Sequence, residues 1–168
     1  ELTGRYLDAA RSGCDEILKT ADAELLSLIH LAIKPQMEKT ALTMQPEAQD
    51  AERLCQSCPV CGALPYVSDL RNDNRERFLH CSMCAYQWSY PRVRCVFCGT
   101  IDTDHLGYFT VDDQQHIRVD FCRSCGGYLK NFDISQYHIA PPMPVEDTAT
   151  LYLDYKAIDA GFTKKTAN

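Results

Sequence analysis

"LCQSCPVCG" (residues 54–62) carries Cys55, Cys58 and Cys61, so two overlapping C-x-x-C pairs can be drawn through it. A metal centre can use only one of them at a time. The chain supplies three more pairs without overlap, "CSMC" (81–84), "CVFC" (95–98) and "CRSC" (122–125), with Cys14 alone near the start. Two residues between cysteines suit a tight knuckle that points both sulfurs at one ion. Four knuckles make two four-cysteine sites. That leaves Cys14 and one cysteine of the triplet over.

The residue after each pair decides which one. Cys61, Cys98 and Cys125 are each followed by glycine (Gly62, Gly99, Gly126). Lacking a Cβ, glycine takes positive φ and lets backbone N–H groups turn toward thiolates. Cys58 is followed instead by Pro59, which has a fixed φ and no N–H. The ligand pair is therefore Cys58 and Cys61, with Cys55 spare. The knuckle "CSMCA" departs from the pattern, with Ala85 in the glycine position.

The knuckles form an internal repeat. Cys58 and Cys61 lead through a polar span to Cys81 and Cys84, and Cys95 and Cys98 lead through a similar one to Cys122 and Cys125. Each span holds strand-like stretches around a turn: "RFLHC" follows "RNDN", while "LGYFTV" and "HIRVDF" flank "DDQQ". Two knuckles joined by a hairpin make a zinc ribbon or rubredoxin-like unit. Sequential pairing is the economical assignment, and an interleaved pairing of first knuckle with third is the alternative. A disulfide framework offers no reason for paired spacing with trailing glycines, and the chain shows no signal peptide. Thiolate ligands suit zinc or iron and do not choose between them. Two ions per chain follow, each held by four cysteines.

The chain has 168 residues and a net charge of −6, and no apolar run long enough to span a membrane. Reduced cysteines point to the cytoplasm. The fold class expected is α+β in three regions. Residues 1–53 read as helical: Leu7, Ala10, Cys14 and Ile17 share a helix face, placing Cys14 inside. A second helix runs through "AELLSLIHLAIK" until Pro35 ends or kinks it, with His30 packed or solvent-facing. Residues 54–135 form the tandem metal-binding region. Residues 136–168 hold a proline-rich connector and a C-terminal helix, capped at Asp147 or Thr148 and stopped by Gly161. Thr148, Leu151, Tyr155, Ile158 and Phe162 make its apolar face.

Between the repeats, "AYQWSYPRVRC" puts Tyr86, Trp88, Tyr90, Arg92 and Arg94 on one face of an extended strand. Two readings stand. The strip grips a peptide or a base, or its aromatic rings fill the join between the ribbons and its arginines are solvated. In "GGYLK", Tyr128 and Leu129 read as packed and Lys130 as surface. From Cys55 to Lys130 eight basic residues balance eight acidic ones. Phosphate binders carry a basic face, so nucleic acid is not the expected partner.

Together "CPVCG", "RFLHCSMCAYQW", "RVRCVFCG", "CRSCGGYLK" and "EDTATLYLDYKAIDAGF" resemble the bacterial formate dehydrogenase accessory (formation) protein family, from Cys58 to Phe162. The resemblance implies a cytoplasmic assembly factor with a longer helical N-terminal part, which contacts the catalytic subunit of formate dehydrogenase before twin-arginine export. The family's ligands carry over onto Cys58, Cys61, Cys81 and Cys84 (first site) and Cys95, Cys98, Cys122 and Cys125 (second site), with iron or zinc as the ion. Its tryptophan and its Tyr-Leu-Lys match Trp88 and Tyr128 to Lys130. The expected partner-binding residues are Trp88, Tyr90, Arg94, Tyr128 and Lys130. The alternatives are a rubredoxin-like electron carrier or redox sensor, and a zinc-ribbon module binding protein or nucleic acid. An enzyme is not expected, because four cysteines leave no open ligand position.

Overall fold

The computed structural model describes residues 23–48, 55–111, 116–135 and 139–165. The expected helix around Cys14, the "DDQQ" turn and the side chain of His30 lie outside the described residues.

The period-two stretches between knuckles form strands, and the turns between them use left-handed residues. "RNDN" closes the first hairpin with Asn72 at φ 59° and Arg75 at φ 52°, and the Arg75 N–H donates to the Asn72 carbonyl at 3.0 Å. Strands β1 (Pro65–Arg71), β2 (Glu76–Cys81) and β3 (Gln87–Ser89) make the first unit, and β4 (Leu106–Thr110), β5 (Ile117–Cys122) and β6 (Gly127–Asp133) the second. Within each unit neighbouring strands are antiparallel. The units then join: β1 pairs in parallel with β6, from Val67 opposite Lys130 to Leu70 opposite Asp133. The result is one sheet in the order β3-β2-β1-β6-β5-β4, with the short β7 (Thr163–Lys164) also on β6. Two ribbons in tandem have become a single sheet, and the chain is α+β.

Register assigns the two faces. Leu79, opposite Trp88, shares one face with Arg77, Leu70, Ser68, Leu129, Asn131, Arg118 and Asp120. Val67, Lys130, Val119, Phe132, Ile117 and Tyr128 share the other. Each face has its own core. On the first, Leu79, Tyr86, Trp88, Tyr90, Val96 and Leu129 pack with Ala41 of helix α1 (Ala23–Ala48). On the second, Val67, Val119, Tyr128 and Phe132 pack with Met143 of helix α2 (Met143–Ala149) and with Leu153 and Ala157 of helix α3 (Leu151–Asp159).

The helices depart from the sequence reading in three ways. Helix α1 continues through Pro35. A proline there removes one backbone hydrogen bond and costs about 3 kcal/mol, and packing of Met37 and Ala41 onto the aromatic cluster supports the helix downstream. The C-terminal helix is two helices, parted at Thr150 (φ −108°, ψ 26°); the N-cap of the first is Pro142, well ahead of the expected Asp147 or Thr148. Its inward face was also misread. Leu151, Tyr155 and Ile158 are 50%, 70% and 55% exposed, while Thr150, Leu153, Asp154 and Ala157 are buried. A charged residue on the buried face hid it, because Asp154 is inside with a partner.

The stop at Gly161 is as read. Gly161 has φ 88°, its N–H donates to the Ile158 carbonyl at 2.9 Å, and the Phe162 N–H reaches Ala157 at 3.0 Å. This is a Schellman turn. It swings Phe162 onto Phe121, with ring centroids 4.4 Å apart, and leads directly into β7.

Candidate metal centres

The knuckles repeat one backbone motif. In three of them the N–H of the trailing glycine donates back to the first cysteine: Gly62 to Cys58 at 2.8 Å, Gly99 to Cys95 at 3.0 Å, and Gly126 to Cys122 at 2.9 Å. Those glycines lie at φ 77°, 74° and 69°, and Ala85 takes the same turn at φ 55°. Left-handed backbone costs an L-residue with a Cβ roughly 1–2 kcal/mol, so the fourth knuckle stores strain that the others avoid. N–H groups also point at sulfur: Met83 and Cys84 at Cys81 Sγ, and Phe97 at Cys95 Sγ, each at 3.4 Å.

The folded chain brings eight sulfurs into two groups. Cys58, Cys61, Cys81 and Cys84 lie within 4.8 Å of one another, and so do Cys95, Cys98, Cys122 and Cys125. The grouping is sequential and not interleaved. Across knuckles, Cys58 Sγ is 3.5 Å from Cys84 and Cys61 Sγ is 3.3 Å from Cys81, while Cys95 to Cys125 is 3.7 Å and Cys98 to Cys122 is 3.8 Å. A tetrahedron with metal–sulfur bonds of about 2.3 Å has edges near 3.8 Å. The donor set therefore fits a tetrathiolate ion of zinc or iron at both places.

The thiols share their protons as a set. In the first group the Cys58 thiol is held below its usual range, chiefly by hydrogen bonding with Cys61, and Cys84 is pushed up by bonds to Cys58, Cys61 and Cys81. In the second, burial pushes Cys95 up to about 12. Cys122 falls to about 7: burial opposes ionisation, and the N–H groups of Cys125 and Ser124 outweigh it. Such a set gives up protons as an ion enters.

Cys55 is half-buried and outside both groups. Its backbone has a definite task, because its carbonyl accepts the indole N–H of Trp88 at 2.9 Å. That contact corrects the expectation for the aromatic strip. Trp88 is 0% exposed and Tyr90 4%, and the Tyr90 hydroxyl donates to the Cys95 carbonyl at 3.1 Å. Both seal the join between the units and cannot meet a partner. Tyr128 and Lys130 are likewise inside, so neither forms a contact surface. Lys130, expected at the surface, is fully buried: its Nζ lies 2.6 Å from both Asp147 and Asp154, and the Tyr128 hydroxyl donates to Asp154 at 2.8 Å. A buried ammonium persists only when paired, and the two carboxylates come from the C-terminal helices. Only Arg94 of that set reaches the surface, where it is half-buried.

Two polar clusters escaped the sequence reading. Asp69, on the face opposite the aromatic core, holds His80 at 2.7 Å and both Arg71 Nε and Nη2, at 2.7 and 2.8 Å. Burial raises the Asp69 carboxyl, and the bonds to His80 and Arg71 bring it below its ordinary value. Arg77 is 4% exposed, with Asp120 at 3.4 Å. Its shared parity with Leu79 in "ERFLHC" was the available signal.

The domain profile described as "FdhE, central domain" matches residues 57–92, and "FdhE, C-terminal domain" matches residues 93–168. The chain belongs to the FdhE family. Each matched span contains one four-cysteine group. A protein named "Protein FdhE homolog" from Aquifex aeolicus is 39% identical over 114 residues, covering 66% of this chain and 40% of the relative. The homolog from Pseudomonas aeruginosa is 32% identical over 120 residues, 66% of this chain and 38% of its own length. The crystal structure of the FdhE protein from Pseudomonas aeruginosa superposes with a TM-score of 0.59 at 31% identity, covering 67% of this chain and 40% of that one. The match thus spans about two fifths of the length of these FdhE relatives. Among the described residues, no helix is long and apolar enough to cross a membrane.

Proposed function

We propose that the chain is a metal-binding accessory factor of the cytoplasm that holds the catalytic subunit of a formate dehydrogenase during maturation, before export. The observation that carries this reading is the pair of four-cysteine groups set into one continuous sheet in an FdhE-family chain. Four thiolates around an ion leave no site for water or substrate. The ions then act by holding shape, and a preorganised surface lowers the cost of binding a client. Release of the finished enzyme calls for a transient interface of modest area.

A pull-down from cells expressing formate dehydrogenase tests it. The metal-loaded protein should capture the catalytic subunit, and chelated protein should capture several-fold less. Failure of the metal-loaded protein to capture it sinks the reading. One observation favours a second reading, an electron carrier: Cys98 is exposed, bringing an ion in the second centre to the surface. Iron there would cycle by one electron. Anaerobically purified protein with zinc at both centres would remove that option.

A further inference from the structure

On the sheet face that carries the aromatic core, above β4 and β5, lies an open cavity of about 490 Å³. Four arginines line it, Arg77, Arg92, Arg94 and Arg118, against one acid, Asp120. The rest of its wall is apolar or aromatic, including Val93, Phe97, Leu129 and Tyr108. In a chain whose net charge is −6, this is a local excess of three positive charges.

The charges are incompletely paired. Asp120 serves both Arg118, at 2.8 Å, and Arg77, at 3.4 Å, and also accepts from Asn131 at 3.1 Å. Arg77 has a side chain only 3% exposed, and its Nε has no hydrogen-bond partner. A buried cation in that position costs free energy until an anion completes its shell. Arg92 is exposed and Arg94 half-buried at the rim, and neither makes an ion pair among the described residues. The arginines do not act as donors to the metal centre, since no guanidinium donates to a cysteine sulfur among the described residues. A tetrathiolate centre beside Cys95 and Cys122 would bring about −2, and the cavity would still be positive.

We infer that this cavity binds a phosphate-bearing small molecule with a flat ring, of the mononucleotide class. The volume falls in the range of small-ligand sites, about 300–1,000 Å³. Guanidinium forks match phosphate oxygens two at a time, and the rim offers two such forks, Arg92 and Arg94. Tyr108 offers a ring that is 62% exposed, with the Arg118 guanidinium 5.2 Å from its centroid. A base can lie along that edge and against Val93, itself 60% exposed. This inference stands apart from client binding.

Calorimetric titration of the metal-loaded protein at low salt, with ADP, AMP, inorganic phosphate and a glutamate-rich peptide, tests it. ADP should bind about tenfold or more tightly than inorganic phosphate, and added salt should weaken it. The double variant Arg92→Gln/Arg94→Gln should lose about tenfold or more in ADP affinity while keeping its two ions and its near-ultraviolet spectrum. These rim residues are chosen because replacing the buried Arg77 would disturb folding. Tyr108→Ala should weaken ADP and leave inorganic phosphate unchanged. The assignment is overturned if neither nucleotide binds at millimolar concentration, if the rim variant binds ADP as well as the parent, if inorganic phosphate binds as tightly as ADP, or if the acidic peptide outcompetes both nucleotides.

Discussion

The two four-cysteine centres share a ligand pattern and differ in what covers them. At the first, Cys58, Cys81 and Cys84 are buried and Cys61 is half-buried; at the second, Cys98 is exposed and Cys125 half-buried. The cause is the surroundings of each unit. Tyr86, Trp88 and Tyr90 wrap the first, and Ala41 and Met37 of α1 close over them. The second has its last strand, β6, in the middle of the sheet, and its first knuckle borders the open cavity. Equal coordination chemistry therefore does not mean equal access, and the two ions should leave at different rates and at different cost.

The largest effect separates the centres directly. Metal binding contributes about 10–16 kcal/mol to the folding of small zinc domains, so loss of one ligand at a buried centre should undo its unit. Cys84→Ser should drop the content from two ions to one and abolish cooperative melting of the first unit. Cys98→Ser should also lose one ion, with a markedly smaller fall in melting temperature, and in the parent protein a chelator should strip the second centre first. Elemental analysis with thermal melts measures both. Equal melting losses, or first-centre metal leaving first, would break the contrast.

Next in size is the buried ammonium that ties the second unit to the C-terminal helices. Lys130→Met removes one partner from two carboxylates and should cost about 3–5 kcal/mol. Urea melts of the metal-loaded protein read this, and a loss below about 1 kcal/mol would contradict the pairing. The same cluster predicts a pH dependence. Burial acts to raise the Asp154 carboxyl, and hydrogen bonds from Lys130 and Tyr128 more than offset it, leaving it below its ordinary value. Its contribution is therefore complete above the unfolded value of about 3.9 and is lost as pH falls through the lowered one. Asp154→Asn should flatten that acid limb.

Smaller effects sharpen the picture. Ala85→Gly relieves a left-handed alanine, and should stabilise the first unit by about 1 kcal/mol, visible as a higher urea midpoint. A lower midpoint would mean that the Cβ packs well enough to outweigh its strain. Cys55→Ser should keep two ions, since Cys55 lies outside both four-cysteine groups and the substitution leaves in place the backbone carbonyl that accepts from Trp88. Loss of an ion would assign Cys55 to the first centre.

The ligand grouping was legible because a knuckle is local: spacing and the trailing residue state its turn, and Ala85 shows that the turn persists even without glycine. What lies above and below a strand is not local. The parity of Trp88 and Tyr90 placed them on one face, but no short-range rule says that Ala41 of α1 and Val96 of the third knuckle pack on that face. Lys130 was misplaced for the same reason, its partners being 17 and 24 positions away. The C-terminal face was misread because two sets of residues share helical spacing, and the apolar set is the outer one.

Parallel pairing of β1 with β6 also imposes an order of assembly. Val67 and Lys130 are neighbours in the sheet although β2, β3, β4 and β5 lie between them in the chain. During synthesis the first ribbon emerges complete with both knuckles and with β1 paired to β2, yet the other edge of β1 has no partner until β6 has left the ribosome. For that interval its backbone edge is open to any other strand, the exposure that leads nascent sheets to aggregate. Long-range closure is also the slow kind. A cell making this protein thus gains from filling the first centre early and from finishing the second ribbon quickly, and a pause placed between Arg92 and Cys122 would prolong the vulnerable state.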